Sequence, residues 1–124
     1  MKNIAVVGTG YVGLVTGTCL AEMGNQVICI DNNAQKVAKM QAGEIPIYEP
    51  ELDVLFERNI KAGRLSFTTN LPEGIAAAEI IFLALPTPPG ADGAADLSFV
   101  LGVAEELGKL ITDYKVIVDK STVP

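Results

Sequence analysis

The chain has 124 residues, the size of one domain with a core of its own. Acidic residues outnumber basic ones by 15 to 9, histidine is absent and the formal net charge is -6, so no basic face is expected for a phosphate backbone and we predict no nucleic-acid partner. The apolar content of 49% comes in runs far shorter than the roughly 20 residues that span a bilayer, so we also predict no membrane segment. Short apolar runs between turns favour a parallel sheet covered by helices on both faces.

The first half of the chain predicts a βαβ unit followed by two more helices. In chain order the pattern predicts a strand over residues 3–8, a helix from 11 to about 24, a strand over 26–31, a helix capped by Asn32 or Asn33 and running to about 42, a loop over 44–50 and a helix over 51–62. The first three elements occupy about thirty residues, which is the usual length of a βαβ unit.

The second half continues the alternation. It predicts a strand over residues 64–68, a helix over 71–78, a strand over 79–85, a proline-rich loop over 86–96, a helix over 97–111 and a last strand over 115–119. Strands that alternate with helices require right-handed crossovers, which gives an α/β fold with a Rossmann-like, doubly wound parallel sheet. Because the sequence stops just after the fifth strand, we interpret residues 1–124 as one domain truncated at that strand.

The N-terminus and the two cysteines bear on the cellular compartment. Lys2 and the apolar stretch after it have the outline of a secretory signal, but four glycines interrupt the stretch and no small-residue cleavage site follows. Cys19 and Cys29 are too few for a disulfide framework, and their places in a helix and a strand predict buried, reduced side chains rather than nucleophiles. We therefore predict a cytoplasmic protein.

A glycine-rich motif lies between the first strand and the first helix. Gly8-Thr9-Gly10-Tyr11-Val12-Gly13 has the G-x-G-x-x-G pattern, in which the first glycine permits a tight turn, the second lets a pyrophosphate approach and the third lets helix and strand pack closely. Backbone N–H groups and the positive end of the helix dipole then face the phosphates. The alternative is a glycine loop with a packing role only.

Asp31 ends the second predicted strand, where a carboxylate can accept hydrogen bonds from the adenosine ribose hydroxyls. A carboxylate there repels a 2′-phosphate and no arginine follows it, so the sequence favours NAD over NADP. Lys36, one turn into the next helix, is either a phosphate contact or a solvated helix lysine. The alternative for Asp31 is a helix cap or turn residue.

Two threonines follow later strands, at places where doubly wound folds put ligand contacts. Prolines on both sides of Thr87 would hold it in a preset conformation that suits a group against a cofactor, and Thr122 occupies the same kind of position after the last strand. A turn-forming hydroxyl is the alternative for each.

Clusters of charged residues between these motifs predict no metal. The acidic residues between Glu44 and Asp53 lack histidine or cysteine company, so we predict solvated or helix N-terminal charges there. The basic residues between Arg58 and Arg64 are most simply an exposed helix end, and a contact to a substrate phosphate is the lesser alternative.

Together these motifs resemble the UDP-glucose 6-dehydrogenase family over nearly the whole chain. The matching stretches are residues 8–15, 21–25, 45–50, 87–89 with 95–97, and 119–124. Three of these features are together far more specific than a generic dinucleotide fingerprint: the tyrosine in the glycine motif, the Pro-Ile-Tyr-Glu-Pro loop and the final Ser-Thr-Val-Pro. Glu51 departs from the family, which usually has glycine there, and Pro86 replaces a commoner small or polar residue.

The resemblance implies the oxidation of UDP-glucose at its C6 alcohol to UDP-glucuronate, with two NAD in succession and a thiol-bound intermediate. The cofactor contacts that it implies are Gly8, Gly10, Tyr11, Val12, Gly13, Asp31, Lys36, Thr87 and Thr122. Thr122 would lie nearest the reacting end as an accessory group. The catalytic cysteine and lysine would lie beyond Pro124, which makes residues 1–124 the N-terminal NAD-binding domain of a longer enzyme that we expect to be a homo-oligomer.

Two alternatives stay open. The enzyme could instead act on GDP-mannose or a UDP-N-acetyl sugar, although residues 14–18 and the loop around Tyr48 look more like the UDP-glucose branch. A non-catalytic NAD-sensing module would have the same length, but a sensor has no need for the Tyr48 loop or the Ser-Thr-Val-Pro end, which the resemblance places against a sugar.

Overall fold

The computed structural model describes residues 1–47, 49–86, 90–91, 93–94 and 96–120. Its elements in chain order are β1 (Asn3–Val7), α1 (Tyr11–Glu22), β2 (Gln26–Ile30), α2 (Ala34–Gln41), α3 (Leu52–Lys61), β3 (Leu65–Thr68), α4 (Leu71–Ala76), β4 (Ile80–Leu83), α5 (Ser98–Leu110) and β5 (Val116–Asp119). Each was predicted, and the bounds differ only by a residue or two at some ends. In the part of the chain that the structure describes, no helix is long and apolar enough to cross a membrane.

The strands form one parallel sheet in the order β3-β2-β1-β4-β5. The chain builds outward from β1 to the β3 edge and then returns to place β4 on the other side of β1. This return confirms the predicted doubly wound fold. It also creates a switch point at the carboxyl ends of β1 and β4, the place where open α/β sheets bind ligands.

An apolar core lies on each face of the sheet. On one face α1, α2 and α3 bury Leu14, Met40 and Phe56 against β1, β2 and β3. On the other face α4 and α5 contribute Ile75 and Leu107. Because helices cover both faces, the inner strands read as continuous apolar runs rather than as alternating ones.

The two cysteines differ in burial, and the prediction that both are buried is wrong for Cys19. Cys19 lies on an exposed side of α1, whereas Cys29 in β2 is fully buried beneath Gly17 of α1. Apolar residues occur nearly all round α1, so its sequence alone does not show which side faces the sheet. Burial raises the pKa of the Cys29 thiol to about 12, which keeps it protonated and unreactive.

The buried side of α1 contains an unpaired hydroxyl. Thr18 is 0% exposed and its Oγ1 has no hydrogen-bond partner among the described residues. Burying an unpaired polar group costs about 1–3 kcal/mol, so we expect Thr18→Val, which keeps the shape, to raise the free energy of unfolding by about 1 kcal/mol in urea titrations. Thr18→Ala is the control, because it also removes the hydroxyl but leaves a cavity. A destabilised Thr18→Val protein would contradict the prediction.

Candidate cofactor site

The turn between β1 and α1 is held between two neighbouring strands. Gly8 adopts a φ of 105°, and its N–H donates to the carbonyl of Ile30 at the end of β2 over 2.7 Å. A Cβ on Gly8 would lie 2.2 Å from the carbonyl oxygen of Ala84, just beyond β4. The positive φ and this close approach both require glycine at this position.

The other two glycines of the motif differ in what surrounds them. A Cβ on Gly13 would lie 2.0 Å from the carbonyl oxygen of Gly8, so α1 rests directly on the turn. A Cβ on Gly10 would meet nothing within 4 Å, and its φ of -73° suits any residue. Packing therefore explains Gly8 and Gly13 but leaves open space beside Gly10.

The first turn of α1 faces this open space. Gly10 is the N-cap of α1, provides no side-chain cap, and no acidic residue occupies the first turn of this helix. Tyr11 and Val12 are 53% and 44% exposed. A helix N-terminus with exposed N–H groups and the positive end of the helix dipole suits an anionic phosphate.

Tyr11 also joins the start of α1 to the loop before α3. Its hydroxyl donates to Oε2 of Glu49 over 2.7 Å, and the bond to this carboxylate raises the pKa of Tyr11. The sequence predicts Glu49 only as one of a group of solvated or helix N-terminal charges, not as the partner of Tyr11. No local pattern reports it, because the two residues lie on separate elements that only the fold brings together.

Asp31 lies at the carboxyl end of β2, beside the glycine turn. Its Oδ2 accepts from both the Thr9 hydroxyl, at 2.5 Å, and the Thr9 N–H, at 3.2 Å. Its Oδ1 accepts from the Asn33 N–H at 2.9 Å. Asn33, rather than Asn32, caps α2, because its side chain accepts from the Lys36 N–H at 3.1 Å. Asp31 thus has the turn role considered as its alternative, and it also contacts the glycine motif directly.

The remaining predicted contacts are only partly within the described residues. Lys36 lies half-buried in the first turn of α2, next to the buried Val37. Thr87, Thr122 and Tyr48 lie outside the described residues. Across the described ranges, no group of three or more histidine, cysteine, aspartate or glutamate side chains could hold a metal ion.

Two of the basic residues predicted as an exposed helix end also tie α3 to α1. Nε and Nη2 of Arg58 donate to the Glu22 carboxylate over 3.2 and 2.8 Å. Nε of Arg64 donates to the Ala21 carbonyl over 3.1 Å and to Oδ1 of Asn59 over 3.0 Å. The fully buried Asn59 completes the cluster, a role that no local pattern in the sequence predicts. These bonds fix the helix that precedes β3, and we assign them to the fold rather than to a substrate.

The fold and the glycine turn define a nucleotide-binding domain of the Rossmann type. The sequence model described as "UDP-glucose/GDP-mannose dehydrogenase family, NAD binding domain" matches residues 2–124. The chain belongs to this family, and NAD is the cofactor of the domain.

Individual relatives agree with this assignment. The chain is 52% identical over 122 residues to a UDP-glucose 6-dehydrogenase from Pseudomonas aeruginosa, which covers 98% of this chain and 27% of that protein. A UDP-glucose dehydrogenase structure from Pyrobaculum islandicum superposes with a TM-score of 0.95 at 39% identity, over 100% of this chain and 29% of that one. A GDP-mannose dehydrogenase structure from Pseudomonas aeruginosa gives 0.94 at 33% identity, over 99% of this chain and 29% of that one. The chain therefore spans less than a third of the length of these relatives.

The departure from the family at Glu51 falls on a residue with a left-handed backbone conformation. Glu51 has a φ of 70° and, among the described residues, is the only one other than glycine with a positive φ. The backbone therefore takes the left-handed conformation that glycine adopts readily, at a cost of about 1–2 kcal/mol for another residue.

Proposed function

We propose that this chain is the NAD-binding domain of a cytoplasmic, homo-oligomeric UDP-glucose 6-dehydrogenase that oxidises UDP-glucose to UDP-glucuronate with two NAD in succession. The identity of 52% to a protein of that name supports this substrate. The catalytic cysteine and lysine of such an enzyme would come from chain beyond Pro124, and the residues of this domain would bind and orient the cofactor.

The observation that carries the cofactor site is the position of Gly10 and Asp31 on either side of one turn. Gly10 leaves space before an α1 N-terminus that no side chain caps, which fits a pyrophosphate. Asp31 stands at the end of the neighbouring strand, which fits the adenosine ribose. The residues present thus fit the adenosine diphosphate half of NAD.

The chemistry that NAD supplies when bound is acceptance of a hydride from the sugar carbon. This domain would hold the dinucleotide and orient its nicotinamide toward the catalytic residues beyond Pro124. We propose that Gly8, Gly10, Tyr11, Val12 and Gly13 line the pyrophosphate. Asp31 and Lys36 would lie at the adenosine end, and Thr87 and Thr122 nearer the nicotinamide.

GDP-mannose is the second candidate substrate, because TM-scores of 0.95 and 0.94 show that the backbone of this domain is common to both kinds of enzyme. The whole protein supplied with NAD and either sugar nucleotide would separate them by NADH absorbance. We expect two NADH for each UDP-glucose consumed. Turnover of GDP-mannose alone would reject the proposed substrate. No turnover of either sugar nucleotide, nor of a UDP-N-acetyl sugar, would favour a sensor.

The cofactor assignment is tested by calorimetric titration of the whole protein with NAD and with NADP. We expect NAD to bind more tightly than NADP, and Asp31→Ala to weaken NAD binding roughly tenfold or more, because hydrogen bonds to a charged group contribute about 1.5–3 kcal/mol. Asp113→Ala is the matched control, since it removes an equal charge from an exposed residue between α5 and β5. Unchanged NAD binding by Asp31→Ala would remove Asp31 from the site.

A further inference from the structure

We propose that Thr9 is a positioning residue for NAD. Its hydroxyl holds the Asp31 carboxylate in the orientation that meets the adenosine ribose and so strengthens the preference for NAD over NADP. The inference rests on the proposed cofactor role of Asp31 and adds a buried residue that acts through that carboxylate.

The two oxygens of Asp31 are held differently. Thr9 directs two donors at Oδ2, its hydroxyl at 2.5 Å and its backbone N–H at 3.2 Å. Oδ1 accepts the Asn33 N–H at 2.9 Å. A carboxylate oxygen has about two lone pairs, so Thr9 occupies the capacity of Oδ2 whereas Oδ1 keeps one acceptor site. The geometry points to Oδ1 as the oxygen that accepts from a ribose hydroxyl.

Thr9 is itself fixed, so it can serve as a rigid support. The residue is 1% exposed, and its neighbour Gly8 is bonded to the Ile30 carbonyl and packed against Ala84. The turn that would cradle the pyrophosphate is therefore joined by a side-chain hydrogen bond to the carboxylate that would bind the ribose. Ordering a polar side chain before binding removes an entropic cost that would otherwise reduce affinity.

The same support would bear on the choice between NAD and NADP. A 2′-phosphate brings negative charge against the Asp31 carboxylate, and an unrestrained side chain could rotate away to relieve the repulsion. The hydroxyl of Thr9 resists that rotation, together with the backbone N–H groups of Thr9 and Asn33. Removal of the hydroxyl should therefore weaken NAD binding and, at the same time, lessen the penalty against NADP.

Thr9→Val and Thr9→Ser form a matched pair, because valine keeps the buried shape without a hydroxyl donor and serine keeps the donor. In calorimetric titrations of the whole protein, we expect Thr9→Val to weaken NAD binding about fivefold, the effect of losing order in one side chain. The ratio of the NADP and NAD dissociation constants should fall with it. Thr9→Ser should stay within about twofold of wild type, and Thr112→Val, an exposed threonine before β5, should change nothing.

Two results would overturn the inference, because each indicates a packing role only. One is that Thr9→Val weakens the binding of NAD and of NADP equally. The other is that Thr9→Ser binds NAD as weakly as Thr9→Val does. A measurement made without cofactor tests the positioning role of Thr9 separately from the proposed function. In crystal structures of the whole protein, Asp31 should occupy one rotamer in wild type and several in Thr9→Val. Several rotamers in both would overturn the positioning role. Absence of NAD binding by the wild-type protein would instead refute the proposed cofactor site.

Discussion

Gly13→Ala is expected to lower the free energy of unfolding by about 4 kcal/mol, the range reached when a substitution forces atoms together in a packed interior. The added Cβ would lie 2.0 Å from the carbonyl oxygen and 2.9 Å from the carbonyl carbon of Gly8. Both are backbone atoms of a turn that Ile30 and Ala84 hold in place, so no side chain can move aside. Either α1 or the backbone of the turn would have to shift. Urea unfolding followed by circular dichroism measures the change.

Gly10→Ala is the matched variant, since the same methyl group would meet nothing within 4 Å. We expect its stability to stay within about 1 kcal/mol of wild type, because the only cost is that alanine is a poorer N-cap than glycine. Its NAD binding should nevertheless fall, because the methyl group occupies the space through which a pyrophosphate approaches the backbone. Wild-type affinity in Gly10→Ala would contradict a pyrophosphate at this glycine, and a stable Gly13→Ala protein would contradict the packing argument.

Asn59→Leu is expected to cost about 3 kcal/mol of unfolding free energy. The Asn59 side chain is 0% exposed; its amide nitrogen donates to Glu22 over 2.9 Å and to the Leu55 carbonyl over 2.8 Å, and its oxygen accepts from Arg64 over 3.0 Å. Leucine has the same branched shape but removes all three bonds to partners that are exposed or only partly buried. A hydrogen bond contributes about 0.5–1.5 kcal/mol, or about 1.5–3 kcal/mol when one partner is charged. Equilibrium unfolding in urea would measure the loss.

Arg58→Ala is the control for this cluster, because its ion pair with Glu22 is half-exposed and such pairs contribute at most about 1 kcal/mol. If Arg58→Ala proved as damaging as Asn59→Leu, the ion pair rather than the buried amide would hold α3 to α1.

The same cluster predicts a dependence on pH. Hydrogen bonding from Asn59, with a smaller effect of Arg58, lowers the pKa of Glu22. A carboxyl whose pKa is lower in the folded state stabilises the fold above its unfolded pKa of about 4.3, and this stability is lost as the pH falls through the folded value. The difference in stability between wild type and Asn59→Leu should therefore narrow below about pH 4. A constant difference across the acid range would show that Glu22 is not coupled to Asn59.

Local signals were enough for the elements and for the centre of the candidate site. The βαβ unit follows from apolar runs broken by glycines, and the strand-turn-helix context predicts the packing roles of Gly8 and Gly13. Asp31 was placed at the end of β2 by the same pattern. These features depend on neighbours within a few residues, so a sequence contains the information directly.

Contacts between distant segments were not predictable in this way. Thr9 was only a variable position of the glycine motif, and its hydroxyl meets Asp31 because β1 and β2 pair side by side. Likewise, the bond from Tyr11 to Glu49 crosses from α1 to the loop before α3. Each depends on which elements become neighbours, and that is decided by the packing of the whole sheet.

By itself the sequence determined the order of strands and helices, the glycine turn, the carboxylate beside it and the family, because residue type and spacing specify these locally. Only the tertiary structure decided the strand order β3-β2-β1-β4-β5, the exposed side of α1 that carries Cys19, and the partners of Asp31. The physical reason is that burial and long-range hydrogen bonds depend on which residues become neighbours in three dimensions. Several side chains of similar polarity could take each buried position, and only the packing of the whole domain selects one.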